Sequence, residues 1–307
     1  MEPSGQHPGR AVASTLGRVG VWSFAFDRNP VAVEKEAVAE IEGLGFPALW
    51  IPEGLGSKDA LTHASLLLAG GSRIVVATGI ASIWARDPVA MANGARALAD
   101  AYPGRFVLGI GVSHRTSVDR RGAFTYERPF TRMRGYLDAM DSARYPVRDG
   151  ADLPPVVLAA LGPRMLRLSA ERAAGAHPYF VPVEHTASAR ETLGPGAVLA
   201  PEQAVVLMTD ADRARSIARE YMGYYLKLEN YARNLIRLGW KEDDIAQGGS
   251  DHLVDALVAW GDVDAIRKRV RDHLDAGADH VSVQPLTEDP RVIPVTQLRE
   301  LAPALLE

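Results

Sequence analysis

Eight short apolar runs alternate along this chain with segments that carry helix-start signals, and no other feature restricts the fold as much. The runs occupy residues 19–24, 48–51, 74–80, 106–111, 156–161, 177–181, 204–208 and 280–285. Continuous apolar runs of this length read as strands buried on both faces, the pattern of a parallel sheet. Between them, Asn29-Pro30 and Asp87-Pro88 each set an N-cap residue before a proline suited to the first helical position. Asp262 likewise opens a segment with Val263, Ile266, Val270 and Leu274 on one face and Lys268, Arg269, Arg271 and Asp275 on the other, stopped by Gly277. Alternation of strands and helices indicates an α/β protein, and eight strands is the number that closes a (β/α)8 TIM barrel. A doubly wound open sheet is the competing arrangement.

The length of 307 residues suits such a barrel as a single domain over residues 17–307. Residues 1–16 are rich in Gly, Pro and Ser and read as a flexible extension. Two stretches exceed the minimal repeat. Residues 113–155 hold one clear helix, 130–143, behind an Arg-rich loop (Arg115, Arg120, Arg121) expected over the C-terminal barrel mouth. Residues 210–261 hold about three helices where one suffices, with Tyr221, Tyr224, Tyr225, Tyr231 and Trp240 available for helix packing, a partner or a substrate.

Composition excludes several function classes. Lys+Arg 34 against Asp+Glu 38 gives a formal charge of -4, so no basic field favours nucleic acid or an anionic membrane. The absence of cysteine excludes disulfides, thiolate metal sites and a cysteine nucleophile. The N-terminus has no apolar signal core and no run approaches the ~18 apolar residues of a membrane span, so a cytoplasmic location is expected. His114, His177 and His185 sit near strand ends, but no HExxH pattern or carboxylate cluster accompanies them, and metal ligation is not expected.

Chemistry is suggested in three places. In AYPGRFVLGIGVSHR, residues 101–115, Phe106, Leu108 and Ile110 alternate with Val107, Gly109 and Gly111, which leaves a strip of bare backbone. In IVVATGIASIWARDP the small residues Ala77, Gly79 and Ala81 repeat the pattern after Val75. Two such strips can flank a planar ring, and either alone is equally a bulge or a barrel corner. In LAALGPRMLRLSAERAAGA, Gly162 and Pro163 open a helix whose first amides, at Arg164 and Met165, form an anion pocket or a plain helix start. Arg164 can add a charged contact there. His114 follows the first strip at the face where barrel enzymes place catalysis.

These motifs carry a resemblance. ATGIASIWARDPVAMANGARALADAYPGRFVLGIGVSH (77–114), LAALGPRMLRLSAERAAGAHPYFVPVEHT (158–186) and AGADHVSVQPL (276–286) resemble, in this order, segments of the bacterial luciferase-like superfamily. The likeness runs from about residue 17 to 286 and is to the coenzyme F420-dependent oxidoreductase branch of actinobacteria. It implies a luciferase-like TIM barrel with helical insertions that binds F420, or alternatively FMN, and acts as an oxidoreductase on a small-molecule substrate. Hydride transfer with F420 is the leading expectation, and an FMN-dependent monooxygenase or a non-catalytic cofactor-binding protein are the others. A homodimer is expected.

The resemblance also assigns residues. Glu53 matches an acidic residue near the ring, Gly79-Ile80 a bulge beneath it with a cis peptide in relatives, and Gly109 and Gly111 a strip facing it. Gly162, Pro163, Arg164 and Met165 match the phosphate loop, and Trp22 and Trp84 are expected at the substrate pocket. Gly54 stands where relatives acting on sugar phosphates or alcohols carry a histidine, so His114 is the expected acid–base residue.

Overall fold

A computed structural model describes residues 8–307. Its strands are β1 Val19–Trp22, β2 Ala48–Ile51, β3 Val75–Thr78, β4 Ala81–Ser82, β5 Phe106–Gly111, β6 Val156–Leu158, β7 Gly175–Ala176, β8 Val198–Leu199, β9 Glu202–Leu207, β10 Val258–Gly261 and β11 Val281–Pro285. The helices are α1 Pro8–Leu16, α2 Val31–Gly43, α3 Ala60–Leu68, α4 Pro88–Ala101, α5 Arg115–Arg121, α6 Pro129–Asp141, α7 Pro163–Arg172, α8 Val183–Leu193, α9 Ala211–Tyr225, α10 Glu229–Arg237, α11 Glu242–Ile245, α12 Asp251–Leu257, α13 Val263–Asp275 and α14 Val295–Leu305.

The named strands pair in parallel in the order β10-β9-β11-β1-β2-β3-β5-β6-β7-β8, with β4 beside β5. The two ends of this path meet through the chain itself. Ala200 and Pro201 lead from β8, paired with β7, into β9, paired with β11, and the Leu199 carbonyl accepts the Asp279 amide at 2.9 Å. Residues 198–207 therefore act as one bent staff that curls the sheet into the expected (β/α)8 barrel. β10 is an addition that runs along the upper half of this staff, Val258 opposite Ala204.

Alternation within the strands sorts two cores. Val75, Ala77, Val107 and Val157 point into the barrel, while Val76, Phe106, Leu108 and Ile110 pack outward against the helices. Asp87 caps α4, with Pro88 at its start, and the Asp262 carboxylate accepts the Ala265 amide at the start of α13, both as read from sequence. Asn29 is not a cap: its amide donates to the carbonyls of Ala25 and Arg291.

Four sequence readings change. Residues 8–16 are not a flexible extension but helix α1, whose Val12 and Leu16 join the interior cluster and plug the lower barrel. Gly9 permits this packing, since a Cβ there would stand 2.5 Å from the Val198 amide. The remainder of the expected extension, residues 1–7, lies outside the described residues. The Arg-rich segment is helix α5, held by the single buried Val118, too little periodicity to read as helix. The strand expected over 177–181 lies two residues earlier as β7, because Pro178 has no amide to donate and Phe180 is left-handed with φ 57°. The insertion over 210–261 holds four α-helices and β10, not about three helices.

Candidate active site

The C-terminal ends of the strands open on a cavity of about 450 Å³. Trp22 from β1, Glu53 after β2, Gly79 and Ile80 after β3, His114 after β5 and Met165 from α7 all line it, joined by Tyr224, Tyr225 and Tyr231 of the insertion. Residues more than 140 positions apart in sequence thus meet at one barrel end, where the alternation of strands and helices delivers every β–α connection.

The floor is the segment between β3 and β4. Gly79-Ile80 is a cis peptide, and the break there reverses the side-chain alternation, so Ala81 faces outward rather than sharing a face with Ala77. This segment also fills the glycine strip of β5. A Cβ on Gly109 would lie 1.9 Å from the Thr78 carbonyl oxygen, and one on Gly111 would lie 2.7 Å from the Ile80 side chain. Gly109 and Gly111 therefore make room for the bulge and stand behind Ile80, where the sequence reading had them face a ring directly. Their Cβ positions are taken by Thr78 and Ile80, and neither glycine lines the cavity.

Glu53 is an anchor as much as a cavity wall. Its carboxylate accepts hydrogen bonds from both terminal nitrogens of Arg86 and, at 2.7 Å, from the Ser82 amide. Arg86 also binds Asp59 at 2.6 Å. Burial works against the Arg86 charge, but the two carboxylates outweigh it and raise its pKa. The cluster ties the ends of β2 and β4 to the start of α3.

His114 sits half-buried at the N-cap of α5, after Ser113, which is left-handed at φ 54°. Its Nδ1 bonds Asn230 Oδ1 at 3.2 Å, and its ring lies 5.4 Å from that of Tyr231. Because the amide oxygen only accepts, Nδ1 carries the proton and Nε2 is left as an acceptor. Burial lowers the His114 pKa and the Asn230 bond offsets part of that shift.

A second histidine lines the cavity deeper down. His177 Nδ1 donates to the Ala200 carbonyl at 2.6 Å, its ring stacks on Trp50 at 4.2 Å, and burial takes its pKa to about 4.

Beside the cavity edge at Leu161 and Met165, Gly162 is the N-cap and Pro163 the first residue of α7, and neither they nor Arg164 line the cavity itself. The Met165 amide turns inward to the Gly162 carbonyl at 3.0 Å, so of the two amides expected to be open only that of Arg164 lacks an acceptor within the helix. The Arg164 guanidinium lies over the Phe130 ring, 4.4 Å from its centroid. In its place Arg237 of α10 reaches in, with Nη1 3.3 Å from where a Gly162 Cβ would be. Arg237, Asn230, Arg86 and Tyr179 were not found by sequence reasoning. Only their arginine, amide or phenol chemistry marks them, and it does not say that they meet at the barrel mouth. Trp84, expected at the substrate pocket, is outside it: buried, it donates to the Val112 carbonyl at 2.8 Å and carries Arg132 on its face.

A model of the luciferase-like monooxygenase family matches residues 14–280. The chain belongs to that family. It is 27% identical, over 82% of its length and 89% of the relative's, to a Mycobacterium tuberculosis protein provisionally named a coenzyme F420-dependent oxidoreductase. Among solved structures it is similar to an F420-dependent secondary alcohol dehydrogenase bound to an F420-acetone adduct, with TM-score 0.73, 13% identity and coverage of 94% of this chain and 98% of that one. It is likewise similar to the oxygenating constituent of 3,6-diketocamphane monooxygenase of Pseudomonas putida with FMN, at TM-score 0.68, 12% identity and coverage of 93% and 95%. These likenesses show the barrel fold of luciferase-like enzymes and mark the chain as an oxidoreductase of that family. Among the described residues no helix is long and apolar enough to cross a membrane.

Proposed function

We propose that this luciferase-like protein is an F420-dependent oxidoreductase, transferring a hydride between the deazaflavin and a small organic substrate while His114 manages the coupled proton. The observation that carries the reading is the state of His114 in the cavity, with Nδ1 committed to Asn230 and the ring held neutral by burial. That state is a base near neutral pH, suited to taking a proton from an alcohol or amine as hydride leaves it.

The residues present fit a flat ring with a phosphate-bearing tail. The cavity offers an apolar floor at Ile80 and walls at Trp22 and Met165, and beyond its Leu161–Met165 edge the Arg164 amide and Arg237 stand near Gly162. F420, when bound, supplies the hydride-transferring carbon. The chain binds the ring on the Gly79-Ile80 floor, holds the phosphate at α7 and aims His114 through the Ser113 turn. The mycobacterial relative and the alcohol dehydrogenase favour F420 by their names, and the FMN-bound monooxygenase supports FMN as the second reading.

Purification from a host that makes both F420 and FMN tests the choice. Recovery of F420 by absorbance and mass in the isolated protein is the expected result. Recovery of FMN alone would overturn the F420 assignment, and binding of F420 without turnover on carbonyl, imine and enone substrates would make the protein a non-catalytic binder.

A further inference from the structure

A second chamber of about 570 Å³ adjoins the first and shares with it Phe24, Gly54, Leu55, Tyr224 and Tyr225. Nothing in the reading above assigns it an occupant. Its size falls within the roughly 300–1,000 Å³ of sites that enclose small organic ligands. Three of its wall residues, Leu55, Tyr224 and Val292, are 51%, 53% and 54% exposed, and Ile217, Pro285, Leu286 and Pro290 continue the apolar surface. Apolar groups left open to water around one concavity favour an apolar occupant.

Charge at the rim is balanced. Arg28 and Glu220 line the chamber, both exposed, and neither forms an ion pair among the described residues. Asp27 is already engaged by the Ser57 hydroxyl and the Lys58 amide. No cluster of cations is available for a phosphorylated or multiply anionic substrate.

Gln284, near the end of β11, is a buried polar residue of the wall. The side chain is 4% exposed, and its Oε1 accepts the Tyr179 hydroxyl at 2.9 Å. The Tyr179 hydroxyl in turn accepts from Tyr221 at 2.9 Å and lies 3.1 Å from the Tyr225 hydroxyl, the longer of its two contacts as a donor. The Gln284 amide nitrogen bonds no described residue and opens on the chamber, where a ligand oxygen can accept from it.

We propose that this chamber is the outer part of the substrate site and takes the mainly apolar body of an uncharged substrate, an oxygen on that body accepting from Gln284 Nε2 and its skeleton lying on Ile217, Leu286 and Val292, while the reacting carbon reaches into the first cavity on the His114 side. This deepens the oxidoreductase reading and rests on it for the reaction, while the binding itself is measured separately.

The test uses 1-tetralone, the hydrocarbon tetralin and glucose 6-phosphate as probes, with binding read by ligand-observed NMR on the purified protein. F420 binding is followed in parallel by its fluorescence. Wild type should bind 1-tetralone about fivefold tighter than tetralin, as one net hydrogen bond implies, and should not bind glucose 6-phosphate. Gln284→Met should erase the preference for the ketone, and Ile217→Trp, which fills the chamber from the half-exposed face of α9, should weaken both apolar probes at least tenfold. F420 binding should stay unchanged in both variants. Tight glucose 6-phosphate binding, or a ketone preference that survives Gln284→Met, overturns the proposal, as does loss of F420 binding in Ile217→Trp. If no F420 binds at all while the probe pattern holds, the oxidoreductase reading fails and the chamber assignment stands.

Discussion

Half-buried His114 and fully buried Glu202 are two titratable residues with opposite consequences for pH. The His114 pKa lies below 6.5, with burial lowering it more than the Asn230 bond raises it. As a base it works only when neutral, so turnover in the alcohol-oxidising direction should be flat above that lowered pKa and fall as pH drops through it, whereas ketone reduction, which needs the protonated ring, should fall as pH rises through it. His114→Ala should lose about 100- to 10,000-fold in rate and the acid limb of the pH–rate profile, with cofactor affinity and melting temperature retained. A parallel loss of stability and cofactor binding would make it a structural histidine. Glu202 is buried against the tyrosine cluster, its Oε2 accepting the Phe180 amide and its Oε1 without a partner among the described residues. Burial raises its pKa from 4.5 to about 8, against the lowering effect of the Phe180 amide. The folded protein then holds a proton that the unfolded chain releases, so stability falls as pH rises from about 4.5 to about 8. Glu202→Gln keeps an acceptor for Phe180 and should flatten that slope in denaturant titrations across the same window.

At the scale of elements, two connections hold the barrel, one at its mouth and one at its floor. The Glu53–Arg86 pair, with side chains 5% and 11% exposed, joins β2 to the β4 turn. Arg86→Leu would strand a buried carboxylate, and a loss of about 3–5 kcal/mol in unfolding free energy is expected by urea titration. Helix α1 is the second connection. Leu16, fully buried at the barrel floor, should cost about 2–5 kcal/mol as Leu16→Ala, whereas a flexible extension would leave stability unmoved. The sequence makes elements legible where one force dominates: apolar runs mark β2 and β5 to the residue, and Asp-Pro and Gly-Pro mark the starts of α4 and α7. It hides elements whose pattern is short or decided by distant packing. α1 has only Val12 and Leu16 to declare it, β8 is two residues long, and β10 exists because β9 offers it a free edge.

For the whole molecule, the barrel gathers the site residues at one end and the insertion over 210–261 roofs them, dividing the mouth into two chambers with Tyr225 on both. Trp22, Glu53, Gly79 and His114 converge as the sequence implied, since a barrel sends every β–α connection to the same face. The partners supplied by the insertion, Asn230 and Arg237, were illegible because helix sequence does not say which surface it will cover. The central claim is that this architecture serves F420-dependent hydride transfer. Its most direct test mixes the purified protein with reduced F420 and a panel of neutral ketones, imines and enones in the absence of oxygen, and follows the absorbance of oxidised F420. The account predicts oxidised F420 in one-to-one ratio with reduced substrate, at a rate lost in His114→Ala. Reduced F420 left unconsumed by every substrate, with turnover appearing only on reduced FMN and oxygen, would contradict it.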